Sequence, residues 1–188
     1  MKINVFIGVV GSGKDYAARQ IDGAIKIAFA DKLREMVWRL VGWRPKNDDD
    51  YDRFKKMVFK CDEVSFTGRN VLERVGTEIV RDIDENYWVD EVEGTIFTKQ
   101  QQGEKIICIT DARFPNEIER LFQIGIFHKR EDMSVDFTFC DYHSKRYDPN
   151  RDHDCEKMAQ AFLKAGFKHG DSLNEIIYSG KWKDFLNT

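Results

Sequence analysis

The chain has 188 residues, 41% of them hydrophobic, 34% charged and 13% aromatic, with only three prolines. A domain of this length buries enough apolar surface to fold without staples, and the composition excludes disordered, collagen-like and mucin-like chains. With 30 basic against 33 acidic residues the net charge is −3, which argues against binding nucleic acid or anionic membranes but leaves cations for local phosphate sites.

Short apolar runs alternate with helical periodicity, without internal repeats or linkers, and predict an α/β fold around a parallel sheet. Lys2–Gly8 reads as a buried strand, Lys14–Ile21 as a helix and Ala24–Phe29 as a second strand. Asp31 offers an N-cap to a helix carrying Leu33, Met36, Val37, Leu40 and Val41 on one face. Residues 43–66, charged at Asp48-Asp49-Asp50, read as a small, irregular and mobile insertion. Helices follow at Val71–Ile79 and Trp88–Ile96, then a central strand at Lys105–Thr110. Pro115 suits the first turn of a helix bearing Ile118, Leu121 and Phe122. Ile124–His128 is expected as a strand, 131–152 as a polar loop, Cys155–Leu163 as a helix and Ile176–Tyr178 as a last strand before a terminal helix.

The opening apolar stretch, Ile3–Val10, is interrupted by Asn4 and is too short for a signal peptide or a membrane span. The four cysteines, at 61, 108, 140 and 155, form no CxxC pair and read as reduced thiols. A cytoplasmic protein is expected, in the host cytoplasm if the source is a phage.

Gly8-Val9-Val10-Gly11-Ser12-Gly13-Lys14-Asp15 fits the phosphate-loop pattern G-x4-G-K, with a strand before it and a helix after. Glycines let successive backbone N–H groups curl around a phosphate, the helix N-terminus adds a favourable dipole, and Lys14 supplies a point charge. Asp15 stands where a Mg²⁺-ligating hydroxyl is usual. A carboxylate there either holds the metal, directly or through water, or marks a loop without catalysis.

Three further blocks follow in order. They are Phe29-Ala30-Asp31-Lys32-Leu33-Arg34; Arg69-Asn70-Val71-Leu72-Glu73-Arg74-Val75-Gly76-Thr77-Glu78, reaching Tyr87-Trp88-Val89; and Asp111-Ala112-Arg113-Phe114-Pro115-Asn116-Glu117. With the phosphate loop they resemble the bacteriophage-type deoxynucleoside monophosphate kinases over residues 3 to about 130. The resemblance implies a P-loop NTPase fold, a three-layer α/β/α sandwich with a parallel, five-stranded-type sheet. It is NMP-kinase-like and forms a single domain over 1–188, with the insertion at 43–66 and a lid-like loop at 131–153. It also implies transfer of the ATP γ-phosphoryl group to a deoxynucleoside monophosphate, with Mg²⁺ as cofactor. Gly11, Ser12, Gly13, Lys14, Asp15, Tyr16 and the lid cation Arg130 would hold ATP. Arg34, Arg69, Asn70, Glu73, Gly76, Thr77, Trp88, Arg113 and Glu117 would hold the acceptor. Lys14, Asp15, Asp111 and Arg113 would be catalytic, with Asp15 and Asp111 on the metal. The chain departs from the family pattern at Tyr16, Lys32, Arg34, Asn70 and Glu73.

The chemistry asks for these residue types independently, because phosphoryl transfer spreads negative charge that converging cations must stabilise. Arg81 joins Arg34, Arg69 and Arg113 as a candidate clamp. Each side chain also has a plain structural use: solvated helix charge for Arg69 and Arg81, core packing for Trp88, helix capping for Glu117. In the lid stretch, Lys145, Arg146 and Arg151 are further cations, and Cys140, His143, His153 and Cys155 are four candidate Zn²⁺ ligands with unusually tight HxC spacing. No nucleic acid or membrane partner is expected, and the chain would act as a monomer or a small homo-oligomer such as a homodimer. Two other readings stand beside the kinase: a different small-molecule P-loop kinase, of adenylate or dephospho-CoA kinase type, and a non-catalytic nucleotide-binding module.

Overall fold

The computed structural model describes residues 1–127, 133–144, 147–150 and 156–187. The chain divides into two compact units, Met1–Ala28 with Val92–Thr188, and Phe29–Glu91.

The first unit is built on a four-stranded sheet in the order β2-β5-β1-β6, formed by β1 (Lys2–Ile7), β2 (Ile25–Ile27), β5 (Ile106–Ile109) and β6 (Ser134–Phe139). Every pairing is parallel, with Asn4 opposite Cys108, Ile7 opposite Phe139 and Ile27 opposite Ile109. A strand flanked by neighbours on both sides and covered on both faces must be apolar at consecutive positions. In β1, accordingly, every residue after Lys2 is buried. The helices of this unit are α1 (Lys14–Arg19), most of α6 (Tyr87–Gln101), α7 (Pro115–Phe127), α8 (Lys157–Lys164), α9 (Asn174–Tyr178) and a closing 3₁₀ helix (Lys181–Asn187). Parallel strands share one direction, so the loops after β1, β5 and β6 leave from the same edge of the sheet.

Four expectations are corrected in this unit: the strand at 124–128, the unbroken polar loop at 131–152, the strand at 176–178 and the fifth strand of the sheet. Residues 124–127 are the last turn of α7, whose buried positions Ile118, Leu121, Ile124 and Gly125 keep the helical period. The strand falls instead at 134–139, inside the stretch read as polar loop, where Val135, Phe137 and Phe139 alternate inward. Residues 176–178 lie in α9. Only an isolated antiparallel bridge between Thr138 and Ser172 extends the sheet beyond β6, which leaves four strands rather than five among the described residues. Asn174, the first residue of α9, ties the helix to β6: its amide accepts the Phe137 N–H at 2.7 Å and donates to the Asp136 carboxylate at 2.9 Å.

The second unit holds α2 (Ala30–Val41), α3 (Asp48–Lys56), an antiparallel hairpin of β3 (Val58–Cys61) and β4 (Val64–Thr67), α4 (Gly68–Glu73), a π-helix (Arg74–Ile79) and α5 (Val80–Ile83). Its core is Val37, Phe54 and Leu72, with Trp38, Trp43, Tyr51 and Phe59 packed around them. Residues 43–66 are therefore not irregular. Asn47 caps α3 by accepting the Asp50 N–H at 2.9 Å, and Phe54 is fully buried. Asp31 is not the N-cap of α2; it lies in the first turn and pairs with Arg34 at 2.6 Å.

Candidate active site

The loop between β1 and α1 is shaped by its glycines. Gly11 and Gly13 adopt φ of 76° and 80°, a left-handed conformation open to glycine at little cost. A Cβ on Gly8 would collide with the Cys140 carbonyl and the Ser12 hydroxyl. Every carbonyl from Ile7 to Gly13 accepts a hydrogen bond. Cys140 N–H donates to Ile7 at 2.7 Å, Asp148 N–H to Val10 at 3.3 Å, Ser144 N–H to Gly11 at 3.2 Å and Tyr142 N–H to Ser12 at 3.1 Å. Ala17 N–H donates to Gly13 at 2.9 Å, and the Lys14 ammonium donates to Gly8 and, at 2.7 Å, to Val9. The segment after β6 thus fixes the loop from outside.

Lys14 is buried, and its ammonium also donates to the Ser12 hydroxyl at 3.3 Å. Burial and then the repulsion of Arg113 lower its pKa to about 8, against the opposing pull of Glu156, Cys140 and Asp15. Asp15 sits one residue further on. Burial pushes its carboxyl up, but an ion pair with Lys26 of β2 and a 2.9 Å hydrogen bond from the Thr110 hydroxyl prevail and hold it below the ordinary carboxylate range. The Thr110 contact joins Asp15 to the carboxyl end of β5, where half-buried Asp111 follows.

The turn after Asp111 is organised by two buried acids. Glu117, in the first turn of α7, accepts the N–H groups of Arg113 at 2.6 Å and Phe114 at 3.1 Å, so its carboxylate caps the helix. Glu156 is 1% exposed; one carboxylate oxygen takes the Val10 N–H at 2.9 Å and the other the Arg113 guanidinium at 3.0 Å. Lys14, Asp15, Asp111 and Arg113 therefore converge on one edge of the sheet. Sequence reasoning missed Lys26, Thr110 and Glu156, whose roles depend on partners remote in the chain.

The other acceptor candidates belong to the second unit. Arg34 pairs with Asp31 and lies over the Tyr51 ring at 5.6 Å. Arg69 faces Glu73 one helical turn on, at 3.9 Å, and Arg81 donates to the Glu85 carbonyl at 3.2 Å. The Asn70 amide oxygen accepts the Thr67 N–H at 3.0 Å, completing a capping box at the start of α4. Gly76 and Thr77 lie in the π-helix, a geometry frequent at functional sites. A Cβ on Gly76 would meet Leu33 at 2.6 Å, and the buried Trp88 indole donates to the Gly76 carbonyl at 2.9 Å.

Arg130, Lys145, Arg146, Arg151, His153 and Cys155 lie outside the described residues. Cys140 is buried beneath the loop with its thiol pushed up to about 11 by burial, against the pull of Lys14; His143 stacks on Tyr147 at 4.0 Å. Among the described residues no three His, Cys, Asp or Glu side chains gather as a metal site, and no helix is long and apolar enough to cross a membrane.

A parallel sheet in this order, with a glycine-rich loop, its buried lysine and an acidic turn at the carboxyl ends of its two inner strands, defines a P-loop fold of nucleoside-monophosphate-kinase type. The family model for deoxynucleotide monophosphate kinase matches residues 41–143, more than half of the chain, including the 69–78 and 111–117 blocks. The chain belongs to the deoxynucleotide monophosphate kinase family and is a kinase. A search of the curated proteins finds no match.

Proposed function

We propose that the protein transfers the γ-phosphoryl group of ATP to a deoxynucleoside 5′-monophosphate, giving ADP and the deoxynucleoside diphosphate. The observation that carries this reading is the convergence of Lys14 and Arg113 at the carboxyl ends of β1 and β5, with Glu156 bridging Arg113 to the Val10 N–H of the phosphate loop. Two cations there suit a reaction whose charge spreads over the oxygens of the transferring group. Lys14 would bind the β- and γ-phosphate oxygens, and Gly11 and Gly13 would present backbone N–H groups to them on either side of Ser12, whose own N–H donates to the Val9 carbonyl at 3.2 Å. Arg113, held from both sides by Glu156 and the capped turn, would face the acceptor phosphate. That phosphate is already ionised at neutral pH and needs no general base.

The oxygen donors near the loop fit Mg²⁺, which takes one or two carboxylates and completes its shell with phosphate and water. Asp15, oriented by Thr110, and Asp111 would hold it, and when bound it neutralises charge on the donor phosphates. Lys26 keeps the Asp15 carboxylate compensated beside those phosphates. Arg34, Arg69, Asn70, Glu73 and Thr77 would contact the acceptor, with Gly76 and Trp88 shaping the π-helix that carries Thr77.

Purified protein incubated with ATP, Mg²⁺ and each of the four common deoxynucleoside monophosphates, followed by chromatography, tests this. A diphosphate product from at least one acceptor is expected. ATP binding without turnover on any of them would favour another acceptor or a binding module.

A further inference from the structure

The mouth of the phosphate loop carries an aromatic surface that phosphate binding does not use. Tyr16, two residues past Lys14 on α1, and Tyr142, beyond the end of β6, are 65% and 57% exposed. Their rings nonetheless lie close to parallel, 18° apart with centroids separated by 6.3 Å. The position of Tyr142 is fixed by its backbone, which donates to the Ser12 carbonyl at 3.1 Å. Its Cβ lies so near Gly13 that a Cβ on that glycine would approach it to 2.9 Å. His169 adds a third ring, 6.3 Å from Tyr142, with its Nδ1 accepting the Asp141 N–H at 3.3 Å. Large aromatic faces left in water forgo the stabilisation of burial, and here they border the glycines that would cradle phosphate.

We propose that Tyr16 and Tyr142 form the platform on which the base of the donor nucleotide stacks. The proposal rests on the phosphate-loop reading above and adds to it the means by which a donor is chosen. The ring of Tyr142 starts beside Gly13, one of the glycines that would cradle the phosphates, and the paired tyrosines offer faces rather than hydrogen-bonding edges. Stacking on a face depends on the size of the base and is tolerant of its identity. Donor preference then follows ring area: ATP, dATP and GTP are used comparably, and CTP and UTP less well.

Calorimetric binding of ATP and of inorganic tripolyphosphate tests this without requiring turnover. Tripolyphosphate carries the phosphates and no base. Tyr142→Ala is expected to weaken ATP about tenfold while leaving tripolyphosphate within about twofold, and Tyr142→Phe is expected to keep both. Unchanged ATP affinity in Tyr142→Ala, or an equal loss of both ligands, would overturn the platform. Wild-type protein that binds tripolyphosphate as tightly as ATP would also overturn it while leaving the phosphate loop intact. Wild-type protein that binds neither would overturn the phosphate-loop reading, and the platform with it.

Discussion

Glu156 joins Arg113 to the phosphate loop: one carboxylate, 1% exposed, accepts the guanidinium at 3.0 Å and the Val10 N–H at 2.9 Å. The anion ties together the loop that would bind the donor and the turn that would carry the transfer cation. Its attraction also opposes the fall in the Lys14 pKa.

Removing this carboxylate takes away the acceptor of the Val10 N–H and the ion-pair contact to Arg113. Glu156→Ala is expected to cost about 1–3 kcal/mol in urea unfolding and to lower turnover. Glu156→Gln keeps an oxygen acceptor and is expected to cost less. Equal stability of wild type and Glu156→Ala would show that the bridge contributes nothing.

Two glycines should respond in opposite directions. Gly8→Ala places a methyl group against the Cys140 carbonyl and the Ser12 hydroxyl, so a loss of about 1–3 kcal/mol is expected, together with weakened ATP binding. Gly94 lies in α6 with nothing within 4 Å of an added Cβ. Gly94→Ala should raise stability by about 0.5–1 kcal/mol, read as an increase in Tm.

The buried ammonium of Lys14 gives a pH signature. Its pKa is depressed to about 8 from 10.5, so between these values the unfolded chain binds more protons than the folded one. Stability without ligand should therefore rise with pH across that window through this group. Nucleotide binding does the reverse, since phosphates favour the charged form. ATP affinity should be about tenfold weaker at pH 9 than at pH 7, with proton uptake on binding that calorimetry detects in buffers of different ionisation enthalpy. Lys14→Met should abolish both effects, and an ATP affinity independent of pH in the wild type would contradict the assignment.

Lys26 and Asp15 should behave as a coupled pair. Lys26→Met removes the ion pair to the Asp15 carboxylate, leaving it the Thr110 hydroxyl, and should raise the KM for ATP several-fold. In an Asp15→Ser background the same change should have little effect, because the charge it balances is gone. Additive effects on KM in the double variant would show that the two act separately.

Much of the architecture could be read locally. The strand, glycines and lysine of the loop are consecutive, and the apolar run of β1 announces a strand buried on both faces. The β6 signal was present in Ser134–Phe139 as strict alternation, but the polar residues around it masked it. Three apolar residues at 176–178 carry too little periodicity to separate strand from helix, and the Asn174 contacts that anchor α9 to β6 reach residues 37 and 38 positions away. The tertiary pairings of the site were not legible: Glu156 reaches Val10 across 146 positions and Thr110 reaches Asp15 across 95. No local pattern marks a carboxylate whose partners lie that far along the chain.

Arg113→Ala offers the most direct test of the account, with ATP dissociation constant and turnover measured on the same preparation. ATP affinity within a few-fold of wild type is expected, with turnover reduced on the order of 100-fold or more, because the cation would act on the acceptor phosphate and on the charge that develops during transfer rather than on ground-state ATP. Full turnover in Arg113→Ala would contradict the placement of phosphoryl transfer at the carboxyl ends of β1 and β5.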